Sequence, residues 1–142
     1  GKAQKKMSNP HFDSVNPHFK NRYASLAAVR DSITEPLAEE GLLVTQHPSA
    51  DDKYVYCTTL LLHTSGQYLS STLKLPVSKM DAQGFGSALT YARRYALQAI
   101  CNVVGDADDD GNEASKAVDN RPTQEILDER FPASPKAKQK PW

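Results

Sequence analysis

KYVYCTTLLLHTSGQYLSSTLKL, residues 53–75, decides the fold. The run 53–63 is dense in β-branched and aromatic side chains, and TSGQ at 64–67 is a turn signal. Residues 68–75 then alternate: Leu69, Leu73 and Leu75 point one way, and Ser70, Thr72 and Lys74 the other. Strand, turn and strand make a hairpin. Just upstream, residues 42–46 read as a further strand, and HPSADD at 47–52 reads as the turn that follows it. The expected core is therefore a small antiparallel three-stranded β-meander, one face of which needs a cover.

The cover is legible on both sides. Upstream, Leu26, Val29, Ile33 and Leu37 recur at helical spacing after Ser25, an N-cap residue type. Pro36 is expected to kink or split this helix, and Gly41 to end it. Downstream, a long helix is predicted from about 83–87 to Gly105. Phe85, Leu89, Ala92, Ala96, Ala99, Ile100 and Val103 form its apolar face. Ser87, Tyr91, Arg94 and Gln98 form the opposite stripe, expected to be exposed. The fold class is α+β, a meander with a long helix packed across it.

The 142 residues allow one modest domain with tails. Three segments are expected: an extended arm over 1–21, a core over 22–114 and a flexible tail over 115–142. The arm repeats a tetrapeptide, NPHF at 9–12 and at 16–19. In the tail, 123–130 is compatible with a short helix, and 132–142 has the composition of a disordered basic end. The chain opens on Gly1, which reads as a fragment or a processed product.

The formal net charge is zero but unevenly spread. Six bases (Lys2, Lys5, Lys6, Lys20, Arg22, Arg30) face one acid, Asp13, within the first thirty residues. The stretch 106–113 holds five acids and no base. Such asymmetry permits a polyanion footprint. Cys57 and Cys101 lack metal-type spacing and read as buried thiols in a reducing cytosol. No apolar run reaches membrane-spanning length and no secretory h-region is present, so a soluble cytoplasmic protein with no membrane contact is expected. No GxxxxGK[ST], GxSxG, HExxH or CxxC occurs, and nucleophilic catalysis has no positive support.

Two clusters carry chemistry. Arg93 and Arg94 sit between Tyr91 and Tyr95. Guanidiniums on phosphates with bases stacked on a tyrosine are one reading; ordinary surface arginines paired with acids are the other. Lys20, Arg22, Lys74 and Lys79 would complete a basic groove if the fold gathers them. Asp106, Asp108, Asp110 and Gly111 match positions one, three, five and six of an EF-hand loop, but position twelve is Ala117, where a bidentate Glu is needed. A Mg²⁺ or Ca²⁺ site on Asp106, Asp108 and Asp110, serving a calcium-dependent scaffold, is thus the alternative function. A further possibility is an acidic stretch that screens the groove until DNA arrives.

Three blocks resemble the Erf family of phage single-strand annealing proteins: NPHFKNRYASL at 16–26, GLLVTQ at 41–46, and GSALTYARRYAL at 86–97 followed by DADDDGNEA at 106–114. The resemblance covers roughly residues 8–115. It implies an annealing-protein-like core and ATP-independent pairing of complementary single strands in homologous recombination and DNA repair. It also implies a homo-oligomeric ring or filament, no required cofactor and no bond-making chemistry. A bacterial host cell and a phage or prophage origin follow from it, with the tail a candidate contact for a single-strand-binding protein. By resemblance, Arg94 and Tyr91 lead the DNA-contact candidates, followed by Arg93, Lys20 and Arg22.

Overall fold

The computed structural model describes residues 1–18 and 20–107. Three strands form the sheet in sequence order: β3 (Leu42–Ala50), β4 (Tyr54–His63) and β5 (Tyr68–Pro76), all antiparallel. They follow α1 (Lys2–Lys6), the two-residue strands β1 (Ser14–Val15) and β2 (Arg22–Tyr23), and α2 (Leu26–Glu39). α3 (Ala82–Cys101) comes last. The architecture is the expected α+β meander with a helix against it.

Alternation sets the faces. Val55, Cys57 and Thr59 of β4 point inward and are buried. Residues 47–50 continue β3 rather than turning: Pro48 pairs opposite Cys57. An edge strand tolerates a proline because half of its backbone N–H groups face away from the sheet. The reversal falls at Asp51, whose carboxylate accepts from the backbone of Lys53 and Tyr54 (both 2.8 Å) and from the Tyr56 hydroxyl (2.6 Å). These bonds, the phenol's first, hold the Asp51 carboxyl below its usual range.

Two core clusters meet under α3. Val55, Cys57, Val77, Ala92 and Ala96 pack α3 on the sheet, with Leu73, Leu75 and Phe85 around them. Val29, Ile33, Leu37, Leu97, Cys101 and Val103 pack α2 on α3. Burying each larger aliphatic side chain contributes about 1.5–3 kcal/mol. The small alanines at 92 and 96 let α3 lie close to the sheet. Burial pushes the Cys101 thiol up to about 11, so it stays protonated and inert at neutral pH.

α2 starts where Ser25 Oγ accepts from Ala28 N (3.1 Å), and it runs through Pro36 without a break. Pro36 lies in the last turn and removes only one backbone donor. Gly41, at φ +68, ends the helix in the left-handed region.

The first 21 residues are not extended throughout. Ala3 is buried and Met7 packs beside it against the α2–α3 cluster. Lys6 Nζ bonds Glu39 (2.7 Å) and Glu40 (2.8 Å), tying α1 to the end of α2. The two NPHF copies diverge. Pro10 is buried and Asn9 Oδ1 accepts from Val104 N (2.9 Å), whereas Asn16 and Pro17 enter the exposed β1–β2 turn. Elements this short carry no periodicity, so only tertiary contacts reveal them. The boundary expected at 114 and the tail over 115–142 lie outside the described residues.

Candidate nucleic-acid interface

α3 is held at its start by Asp81, whose carboxylate accepts from Gly84 N (2.8 Å). Gly84 is required there: a Cβ would overlap the Lys79 carbonyl. The helix closes at Asn102, in the left-handed region at φ 54, three residues before the predicted end at Gly105. The chain then folds back along α3.

Successive helical residues differ by about 100°, so Tyr91 and Tyr95 share a side, Arg93 lies nearly opposite, and Ala92 faces the sheet. The two tyrosine rings are 5.9 Å apart and tilted by 45°. They remain 37% and 40% exposed. They wall a groove of about 530 Å³ whose other lining includes Leu75 and Pro76 of β5, Lys79, and Ser87 of α3. Lys79 Nζ is 3.2 Å from Asp81 at this rim.

Arg94 is not on an exposed stripe. It is 5% exposed, and Gln98 is buried with it. Its guanidinium lies over three rings: Tyr23 at 4.4 Å, Tyr91 at 4.9 Å and Tyr95 at 5.1 Å. Its Nη2 reaches Asp106 Oδ1 at 3.3 Å, while Gln98 Nε2 donates to Asp106 Oδ2 at 3.0 Å. Gln98 Oε1 in turn accepts from Gly105 N (2.9 Å), Gly105 O accepts from Ala24 N (2.6 Å), and Asp106 bridges to Tyr23. The returning segment and β2 therefore cover the helix face that periodicity alone assigns to solvent. A helical wheel cannot register a cover supplied by other segments.

The remaining candidates are dispersed. Arg93 Nε donates to Gln46 Oε1 (3.3 Å) on the β3 side of α3, and Gln46 Nε2 donates to the Arg93 carbonyl (3.0 Å). Lys74 stands on the outer sheet face over Tyr54 (3.9 Å) and Tyr56 (5.6 Å). Lys20, at φ 56, is exposed in the β1–β2 turn, and Arg22 Nη2 donates to the Phe12 carbonyl (2.8 Å). Of the seven expected contacts, only Lys79 and Tyr91 line the same groove. Sequence reasoning passed over Tyr95, although its four-residue spacing from Tyr91 places both on one side of the helix.

For the metal reading, both oxygens of Asp106 are taken by Arg94 and Gln98. Asp108 and Asp110 lie outside the described residues. Among the described residues no group of three or more potential metal ligands occurs. No helix among them is long and apolar enough to cross a membrane.

The model of one protein family, the ERF superfamily, matches residues 1–130. No curated protein and no solved structure matches the chain.

Proposed function

The chain belongs to the ERF superfamily, a family of single-strand annealing in recombination, and on that premise we propose that it binds single-stranded DNA and anneals complementary strands without ATP. It works as a homo-oligomer, and sequence recognition comes from base pairing between the strands rather than from side chains. No metal is needed for this step.

The observation that carries the reading is the exposed Tyr91–Tyr95 pair opening on the groove beside β5. Aromatic faces stack any base, which suits a protein that must accept every sequence. Lys79 at the rim supplies a cation for the backbone, and affinity gained there through counterion release falls as salt rises. Arg94 acts from beneath. Packed under both rings and tied to Asp106, it holds them in place. Lys20, Arg22 and Lys74 are farther candidates for backbone contact, reached if the strand continues beyond the groove or across subunits; Arg93, tied to Gln46 on the β3 side of α3, is off that path.

The test is fluorescence anisotropy of a labelled oligo-dT with the full chain and with Tyr91→Ala and Tyr95→Ala. Each substitution is expected to cost about 1–3 kcal/mol of binding, five- to over a hundredfold in Kd, with little change in melting temperature. Lys79→Gln should lower the salt slope by about 0.7. Undiminished affinity in the double tyrosine variant would remove the groove from the DNA path. A wild-type protein that leaves the annealing rate of complementary oligonucleotides unchanged at low salt would end the functional reading itself.

A further inference from the structure

On the other flank of α3, β3 is an edge strand. Its backbone pairs with β4 on one side, and among the described residues no backbone group of residues 42–50 has a backbone partner on the other. α2 packs beside it. Between them lies a cleft of about 240 Å³, with Ile33, Leu37 and Val44 among its lining and Arg30 and Arg93 also facing it. No acidic side chain lines it, although the Arg30 guanidinium is paired with the neighbouring, exposed Asp31 (3.1 Å). Leu43, on the opposite face of the same strand, is 60% exposed. The Nη atoms of Arg93 have no partner among the described residues, because its bond to Gln46 uses Nε.

An open strand edge running beside an apolar cleft and a helix is the geometry of β-strand addition. Backbone bonds then supply affinity, and alternate side chains enter the cleft and supply selectivity. Two occupants are conceivable, and charge separates them. The other open edge of this sheet, β5, contains no acid and carries Lys74. A second copy docking β5 on β3 would bring that cation toward two guanidiniums. An acidic strand would instead meet Arg30 and Arg93 with complementary charge. We propose that the β3 edge and the α2 cleft take an extended peptide of alternating apolar and acidic residues from a partner protein, added as a fourth strand. This site is separate from the Tyr91–Tyr95 groove and does not depend on the DNA reading.

The probe is a fluorescein-labelled peptide of alternating valine and aspartate, with a valine–lysine peptide as control, titrated into the full chain. The aspartate peptide should bind at least about tenfold more tightly than the lysine peptide, and Arg30→Glu should weaken it by about tenfold or more. Thr34→Glu, an exposed change on the same helix, should do likewise. Amide shifts should concentrate in residues 42–50. Equal binding of the two peptides, no binding of the aspartate peptide, or indifference to both substitutions would overturn the proposal. So would competition by oligo-dT, which would make the cleft a nucleic-acid site. A change in sedimentation of the peptide-free Arg30→Glu protein would overturn it too, by assigning the cleft to a contact between copies.

Discussion

On its β5 side α3 shows two tilted tyrosine rings, a lysine and an open groove; on its β3 side it shows Arg93 braced by Gln46 above an apolar cleft. The two tyrosines and Arg93 belong to one five-residue stretch, residues 91–95. The first flank offers π-faces and suits ligands whose shape repeats while their sequence varies. The second offers a strand edge, an apolar floor and guanidiniums, and suits a peptide. The difference teaches that a dense motif on a helix need not be one site. At about 100° per residue, neighbours fan outward, and the elements packed against each side decide what each residue does.

The sharpest way to break this division is Arg94→Ala. The substitution removes the cation under Tyr23, Tyr91 and Tyr95 and leaves the Asp106 carboxylate with Gln98 as its remaining side-chain partner. Breaking a buried pair costs about 3–5 kcal/mol, and the lower end, about 3 kcal/mol, applies because Asp106 is partly exposed. Chemical denaturation measures the loss directly. If the flanks are independent, oligo-dT affinity falls while the valine–aspartate peptide still binds the folded protein. Arg94→Lys keeps the charge but not the planar stacking surface, and should recover only part of both stability and DNA affinity.

Gly84→Ala tests one flank alone and by a smaller amount. The new methyl overlaps the Lys79 carbonyl, so the 78–81 loop must move away from the first turn of α3. Overpacking of this kind costs about 1–3 kcal/mol. The displaced loop carries Lys79 at the rim of the Tyr91–Tyr95 groove, and the β3-side cleft lies across the helix from it. Weaker oligo-dT binding with unchanged peptide binding is expected. Equal weakening of both would show that α3 transmits the disturbance and that the flanks are coupled.

The groove was partly legible in the sequence, and the reasons differ residue by residue. The meander followed from period-two alternation over 53–75, and α2 from Ser25 and four apolar residues at helical spacing. Both signals are local. The β3 extension through Pro48 was hidden because proline and serine usually mark turns, and only an edge position excuses them. Arg94 and Gln98 were misassigned to solvent because their cover comes from Tyr23 and residues 103–106, brought together by backbone pairing at Gly105 and Asp106. The β3-side cleft has no linear signature at all: Arg30 and Arg93 are 63 positions apart and meet one cleft only through the packing of α2, β3 and α3.

The smallest expected effect concerns the wall of that cleft. α2 is anchored at its first turn by Asp13, which accepts from Ser25 Oγ (2.6 Å) and Ser25 N (2.7 Å). These bonds, the side-chain one first, hold the Asp13 carboxyl below its ordinary range. A carboxyl whose folded pKa is depressed stabilises the native state fully above its unfolded value, about 3.9. That contribution is lost as pH falls through the folded value. Wild type should therefore melt above Asp13→Ala at pH 7, by a gap that stays constant down to about pH 5 and closes below about pH 4. Asp51 and Glu40 are depressed as well, but they titrate in both proteins and cancel in the difference. Because Asp13 bonds Ser25, the cap of α2, directly and reaches the Tyr91–Tyr95 side only through Tyr23, Asp13→Ala should weaken the peptide probe more than oligo-dT. A melting gap that persists unchanged to pH 2.5 would mean that Asp13 acts through shape rather than charge. A larger loss for DNA would mean that the Asp13 bonds act through Tyr23 and Arg94 on the tyrosine pair rather than through α2 on the cleft.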